Sequence, residues 1–398
     1  MMAELYELNA WKQTLQMGDR GPKRNLTNLM LHLRNLPTMG RQFRFNELTG
    51  NVEWQGREMT DSSYIDIRLQ IEAAGYQPTD KDLPGAIVRL AEDNSYNPVS
   101  EYLNSLKWDG TPRIDVWLQK IFGVANTPLN QAFGRMFLIS AVARALNPGS
   151  KVDTMLILEG PQGLKKSTAI QVLFGREYVL NGLRVFHGQE AGLSVQGRWA
   201  VDLGELGGFS NANVRDVKHF LSMEIDNYRP LWGKSFINRP RRVVFTGSTN
   251  EFDYMRDPTG ARRFWGVPCK RVDIETLRKS RDQLWAEAVT RYSANEPWWI
   301  ERESDLWNDA VDAQAERYAE SVFAPAIEKY LSEPTTKMRG CVLVGEILSG
   351  MGITIDKHKQ NEGEVTNHLT HAGWRKKRCM RHGLNLNWWF PPGEHPDD

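Results

Sequence analysis

Cysteine is scarce in this sequence of 398 residues, with only Cys269, Cys341 and Cys379. They stand far apart, with no CxxC and no His-rich companion spacing, which argues against both a disulfide scaffold and a structural zinc site. An excess of charge of one sign is lacking too, since 50 Lys and Arg stand against 49 Asp and Glu. That balance excludes a uniformly basic coat on nucleic acid, although local basic patches stay open. No apolar run approaches the roughly 20 residues that span a bilayer, and the opening MMAELYELNAWKQ holds no signal-peptide core. The expectation is a soluble, cytoplasmic chain of a reducing compartment with no membrane partner. Internal repeats and low-complexity tracts are missing, and only the tail from Pro391 reads as disordered.

What is present is an ordinary globular composition, 40% hydrophobic and 25% charged, long enough for about two to three domains. Tryptophan stands out at 14. Trp108, Trp232, Trp265, Trp374, Trp388 and Trp389 sit beside polar or basic residues. Such rings serve as packing pieces or as base-stacking platforms, and packing is the commoner use.

Three domains are expected. Residues 1–95 read as a small α+β domain. Leu26, Leu29, Met30, Leu33 and Leu36 form a helix stopped by Pro37, and Phe43–Phe45 and Val52–Trp54 form a hairpin about Thr49-Gly50-Asn51. A second helix carries Ile65, Ile67, Leu69 and Ile71, and a third runs from Ala86 to Ala91. Residues 96–324 open with a helical lead-in and the apolar helix Phe133 to Leu146, then alternate strands and helices, as a parallel sheet covered on both faces requires. Residues 325–398 show three helix patterns and then a terminal hairpin, the outline of a winged helix-turn-helix.

The strongest motif follows the apolar strand Thr154–Leu158. Gly160-Pro161-Gln162-Gly163-Leu164-Lys165-Lys166-Ser167-Thr168 opens a helix and fits G-x-x-x-x-G-K-[ST] except that Lys165 stands where the last glycine belongs. Such a loop turns backbone N–H groups onto phosphates at a helix N-terminus. Lys166 would reach the β- and γ-phosphates of ATP and the Ser167 hydroxyl would ligate Mg²⁺. A lysine held at positive φ costs about 1–2 kcal/mol, little beside several phosphate contacts. The plain alternative is a Gly-rich strand–helix turn.

Trp199 to Glu205 is an apolar strand carrying two carboxylates near its end. Asp202 suits the Mg²⁺ and Glu205 the attacking water, but their three-residue spacing leaves the division of roles open. The strand Arg242–Thr249 ends in small polar residues, which would put Asn250 by the γ-phosphate at a carboxyl edge. Of the paired Arg262 and Arg263, one would be an arginine finger acting from a neighbouring subunit, with Arg263 favoured. Between the two strands, Tyr228 to Phe236 reads as a hairpin with Trp232 and Lys234 at its tip, suited to stacking and phosphate contact on single-stranded DNA. The C-terminal Arg375, Lys376 and Lys377 fit a wing touching phosphates, or a solvated strand.

Taken together, these residues resemble the virulence-associated protein E family. The resemblance rests on Asn97-Pro98-Val99 with Tyr102-Leu103, Leu106 to Gly110 with Arg113, Pro148 to Asp153, the phosphate loop, Trp199 to Leu206, Phe245 to Asn250, Thr259 to Trp265 and Arg281 to Ala288. That family is similar to the AAA+-like superfamily 3 helicases of viruses, phages and plasmids. The resemblance implies an α/β fold with an AAA+-like P-loop ATPase core, flanked by the small N-terminal domain and the winged-helix-like C-terminal domain. It also implies ATP and Mg²⁺, a homo-oligomeric, hexameric ring, single-stranded DNA and replication proteins as partners, and ATP-dependent DNA unwinding or translocation. Lys166 and Ser167 would then bind nucleotide and metal, Asp202 and Glu205 form the acidic motif, Asn250 act as sensor, and Arg262 or Arg263 serve in trans. The competing expectation is a nucleotide-gated DNA-binding switch or recruitment protein that does not unwind.

Overall fold

A computed structural model of the chain describes residues 10–183, 185–205, 211–229, 236–250, 263–317 and 323–394, with the backbone alone for 205 and 211–215. The chain divides into two compact units, Met1–Leu106 with Gln196–Arg198, and Lys107–Val195 with Trp199–Asp398.

In the first unit a four-stranded sheet runs in the order Arg57–Glu58, Asn51–Trp54, Phe43–Asn46, Ser95–Tyr96. The expected hairpin is its centre, with Phe43 paired to Trp54 and Asn46 to Asn51. Helix Leu26–Asn35 starts where the Asn25 side chain accepts the amide of Asn28, and it buries Leu29 and Leu33. Helix Asp61–Ala73 holds the alternating Ile65, Ile67, Leu69 and Ile71. A helical period splits that alternation between two faces. Ile67 and Ile71 are fully buried, while Ile65 and Leu69 stand 60% and 58% exposed. Helix Pro98–Ser105, capped by the Asn97 side chain on the amides of Val99 and Ser100, also falls in this unit. So do Gln196–Arg198, and the Gly197 amide donates to the Leu48 carbonyl.

The second unit is built on a five-stranded parallel sheet in the order Phe264–Pro268, Met155–Glu159, Val244–Thr249, Ala200–Glu205, Val179–Asn181. Met155–Glu159, flanked by two strands, is buried at every residue, which is why it reads as a continuous apolar run. Long helices complete the core. Pro128–Leu146 begins with Pro128 after a Thr127 cap, and Ile274–Ser293 begins at an Asp273 cap. Aromatic rings join them to the sheet: Phe133 stacks on Trp265 at 5.0 Å, and Trp199 meets Trp285 at 4.4 Å and the edge of Phe174 at 4.9 Å. Trp265, Trp388 and Trp389 are all buried packing residues, Trp108 and Trp374 are half-buried, and Trp232 lies outside the described residues.

Toward the C-terminus, helices Ala324–Ser332, Val344–Gly350 and His358–His371 precede the antiparallel hairpin Arg375–Arg381 with Leu384–Phe390. They share a core of Ile327, Val342, Ile347, Val365, Leu369 and Trp389. Cys341 and Cys379, distant in sequence, meet in one small apolar cluster with Trp388 and Phe390. Among the described residues no helix is long and apolar enough to cross a membrane.

Trp285 has two structural tasks, filling the core and donating its indole N–H to the Leu173 carbonyl at 2.9 Å. Trp285→Ala is expected to cost about 3–5 kcal/mol and Trp285→Phe about 1–2 kcal/mol, both read from the midpoint of chemical denaturation.

Candidate functional site

The loop after Met155–Glu159 is shaped by backbone demands. Gly160 has φ +147°, and a Cβ there would lie 2.8 Å from the Cys269 carbonyl oxygen. Its amide donates to the Thr249 carbonyl at 2.9 Å, fastening the loop to the neighbouring strand. Lys165 takes the left-handed conformation, φ 65° and ψ 31°, as the residue before helix Lys166–Phe174. The loop thus adopts the glycine geometry without the glycine, at the cost of about 1–2 kcal/mol that a left-handed non-glycine carries. Lys166 is 9% exposed and donates its Nζ to the carbonyls of Gly160 at 2.5 Å and Pro161 at 3.0 Å. Pro161, Gln162, Gly163, Lys165 and Thr168 are exposed, and Leu164 and Ser167 are half-buried.

The Ser167 hydroxyl lies close to the Asp202 carboxylate of the acidic strand and favours its charged form. Asp202 is 3% exposed and accepts the Gly204 amide at 3.2 Å. Burial raises its pKa; the Ser167 hydroxyl, the Gly204 amide and the charge of Lys166 oppose that rise without cancelling it. A hydroxyl and a carboxylate close to one another beside a lysine suit a hard divalent cation that takes its remaining ligands from water and phosphate, and such a cation would relieve the buried charge. The three-residue spacing of the acids also has a structural reason. Thr246 pairs with Asp202 and Ser248 with Glu205, so an irregularity at Gly204, φ +72°, absorbs one residue. Glu205 therefore occupies the register position two steps beyond Asp202. Its side chain lies outside the described residues.

Asn250 is exposed at the bend that follows Thr249, next to the start of the loop. Arg263 stands elsewhere. Phe264 pairs with Met155 and Pro268 with Glu159, so Arg263 is at the amino edge of the sheet, opposite the loop. There it is half-buried, with Nε 3.3 Å from the Ser222 hydroxyl and 3.7 Å from Asp153. Arg262 lies outside the described residues, as do Trp232 and Lys234. The shank of their hairpin is present, with Ile225–Tyr228 antiparallel to Ile237–Pro240. A buried ion pair roots it: Arg241 donates to Asp226 at 3.1 Å and lies over the Phe220 ring at 4.1 Å. Nearby Arg144 is fully buried, and burial followed by the charge of Arg241 pulls its pKa down to about 9. Arg375 and Lys376 are exposed and Lys377 half-buried, paired across the C-terminal hairpin with the buried Phe390, Trp389 and Trp388.

The motif Arg281 to Ala288 holds none of these groups but braces them. Gln283 accepts the Asp109 amide at 2.9 Å and donates to the Lys107 carbonyl at 3.1 Å. The buried Glu287 accepts the amides of Arg113 at 2.5 Å and Ile114 at 3.0 Å. Arg281 and Trp285 each donate to the Leu173 carbonyl at 2.9 Å, satisfying the last turn of the helix that the phosphate loop opens.

The family model for the virulence-associated protein E-like domain matches residues 103–319, more than half of the chain. The chain belongs to that family. Its virulence-associated protein E-like domain thus includes the loop, the acidic strand, the Asn250 strand and the Arg281–Ala288 brace. Among solved structures the chain is similar to the apo NrS-1 C-terminal region. Its A form, in two structures, is 14% and 15% identical with TM-scores of 0.42 and 0.44, and each match covers 88% of this chain and 96% of the other. A further apo structure of that region is 13% identical with a TM-score of 0.44, covering 88% of this chain and 95% of the other. A search of curated proteins finds no match.

Sequence reasoning missed Arg144, Arg241 and the Glu159–Arg317 pair, because nothing local marks a buried arginine before its partner is known. The raised pKa of Asp202 fixes a sign: its contribution to stability is present below the ordinary Asp value of 3.8 and is lost as pH rises through the raised value. Asp202→Asn is therefore expected to raise the melting temperature of the metal-free protein at neutral pH, by about 2–4 °C for each kcal/mol gained. The gain should shrink on acidification toward about pH 4, as a pH series of thermal melts would show.

Proposed function

We propose that the chain is a Mg²⁺-dependent ATPase that translocates along single-stranded DNA and separates duplex DNA as part of a homo-oligomeric ring, a hexamer by family resemblance. The replication of a phage or mobile element, in the cytoplasm of a bacterial host and alongside other replication proteins, is its setting in this reading. The observation that carries it is the registration of the parallel strands, which brings the phosphate loop with Lys166 and Ser167 and the buried Asp202 of the acidic strand to one sheet edge.

Each residue then has a task. The loop amides from Gly160 to Thr168 cradle phosphates, and Lys166 leaves the carbonyls of Gly160 and Pro161 for the β- and γ-phosphate oxygens. Ser167 and Asp202 would hold Mg²⁺, which would supply positive charge to offset that of the phosphates. Glu205 orients the water that attacks the γ-phosphorus, and Asn250 steadies it from the adjoining strand. Arg263 stands five register steps of about 3.3 Å each from its own loop edge. An arginine from this segment, Arg262 or Arg263, therefore serves the site of a neighbouring copy. Arg263 already has Asp153 and Ser222 as partners, which favours Arg262. Trp232 and Lys234, on a hairpin rooted by Arg241 and Asp226, stack on and neutralise single-stranded DNA, while Arg375, Lys376 and Lys377 add phosphate contacts.

A nucleotide-gated DNA-binding switch without unwinding is the second reading, favoured by the left-handed Lys165. Steady-state ATP hydrolysis with Mg²⁺, with and without single-stranded DNA, over a range of protein concentration separates the two. The ring motor predicts stimulation by DNA that grows with protein concentration, and a loss of about 100-fold or more in Lys166→Ala. Nucleotide binding without hydrolysis under any condition supports the switch.

A further inference from the structure

Glu159 is the last residue of the phosphate-loop strand, one position before Gly160, and is 3% exposed. Its backbone is locked on both sides, since it pairs with Thr249 and Pro268 and its carbonyl accepts the Cys269 amide at 2.7 Å. A buried carboxylate here is a fixed negative charge beneath a loop that has to receive a polyanion. Arg317, 5% exposed, meets it in a two-point pair, Nε on Oε1 and Nη2 on Oε2 at 2.9 Å. The same guanidinium donates to the Gly266 carbonyl at 3.1 Å and to the Ala313 carbonyl. Arg317 follows helix Asp305–Ala315, on the stretch of chain that leads to the C-terminal helices.

Stability is a poor reason for such a pair, because well-packed apolar residues serve a buried site at least as well as two desolvated charges. The neighbourhood shows that the charge is felt at the loop. The Cys269 thiol is pushed up to about 12, first by burial and next by Glu159, with Lys166 pulling the other way. Glu159 and Lys166 thus act on the same sulfur from opposite signs.

We propose that Arg317 is a positioning residue for the nucleotide site. By neutralising Glu159 it lets the phosphate loop accept a triphosphate. Wherever Arg317 is withdrawn, Glu159 repels the ligand, most strongly the ligand of highest charge. This inference rests on the nucleotide-binding reading of the loop.

Calorimetric titration of the full chain with ATP and ADP in Mg²⁺ tests it through signs. Arg317→Gln is expected to weaken ATP binding about tenfold and ADP binding less. Glu159→Gln is expected to tighten ATP binding while lowering the melting temperature, since Arg317 then loses its carboxylate partner. The double variant should return to within about threefold of the wild type, and Arg317→Lys should stay close to it. If Arg317→Gln does not fold, the sign of the Glu159→Gln effect decides. Weaker binding in Glu159→Gln, or equal losses for ATP and ADP in Arg317→Gln, would make the pair a mere brace and overturn the proposal. A wild-type chain that binds neither nucleotide would overturn the reading of the loop along with it.

Discussion

The candidate site depends on one constraint of chain geometry. Parallel strands joined by crossovers all end on the same edge of the sheet, so whatever follows each strand is delivered to one place. Met155–Glu159 delivers Gly160 to Thr168, Val244–Thr249 delivers Asn250, and Ala200–Glu205 carries its acids to the same edge. The hydrogen bond from the Gly160 amide to the Thr249 carbonyl and that from the Cys269 amide to the Glu159 carbonyl hold three strand ends in step. Ser167 comes near Asp202 because of that registration, although the two are far apart in sequence.

At both edges of the sheet the fold places buried charges. Asp226 and Arg241 stabilise the root of the hairpin, and Glu159 and Arg317 lie under the phosphate loop. Asp115, Arg135, Arg291 and Glu296 form a half-buried ionic cluster beside the Glu287 contact. Pairs of this kind contribute little net stability but are costly to break singly, so they fix geometry more than they strengthen it. The match between this chain and its family acquires a physical meaning here. Motif residues that never touch the site, such as Gln283 and Glu287, hold the lead-in through backbone amides and carbonyls that only one arrangement satisfies.

Much of this was legible in the sequence where the signal is local. An apolar run followed by glycines and Lys166-Ser167 announces strand, loop and helix, and the first-unit hairpin follows from Phe43, Gly50 and Val52. Signals that depend on distant partners were not legible. Asp202 and Glu205 look ill-spaced until the irregularity at Gly204 is seen. Arg144, Arg241 and Arg317 read as ordinary surface arginines until the fold buries them. The alternation of Ile65, Ile67, Leu69 and Ile71 marks a helix without telling which two of the four face inward. Cys341 and Cys379 look isolated because only the terminal hairpin brings them together.

The first unit draws on Gln196–Arg198 as well as Met1–Leu106. On a ribosome its last piece emerges only after the phosphate loop and its helix have been synthesised. Until then the Leu48 carbonyl lacks the Gly197 amide that it accepts in the finished fold. A gene fragment cut at Leu106 would therefore encode this unit without the Gly197 amide that its Leu48 carbonyl accepts.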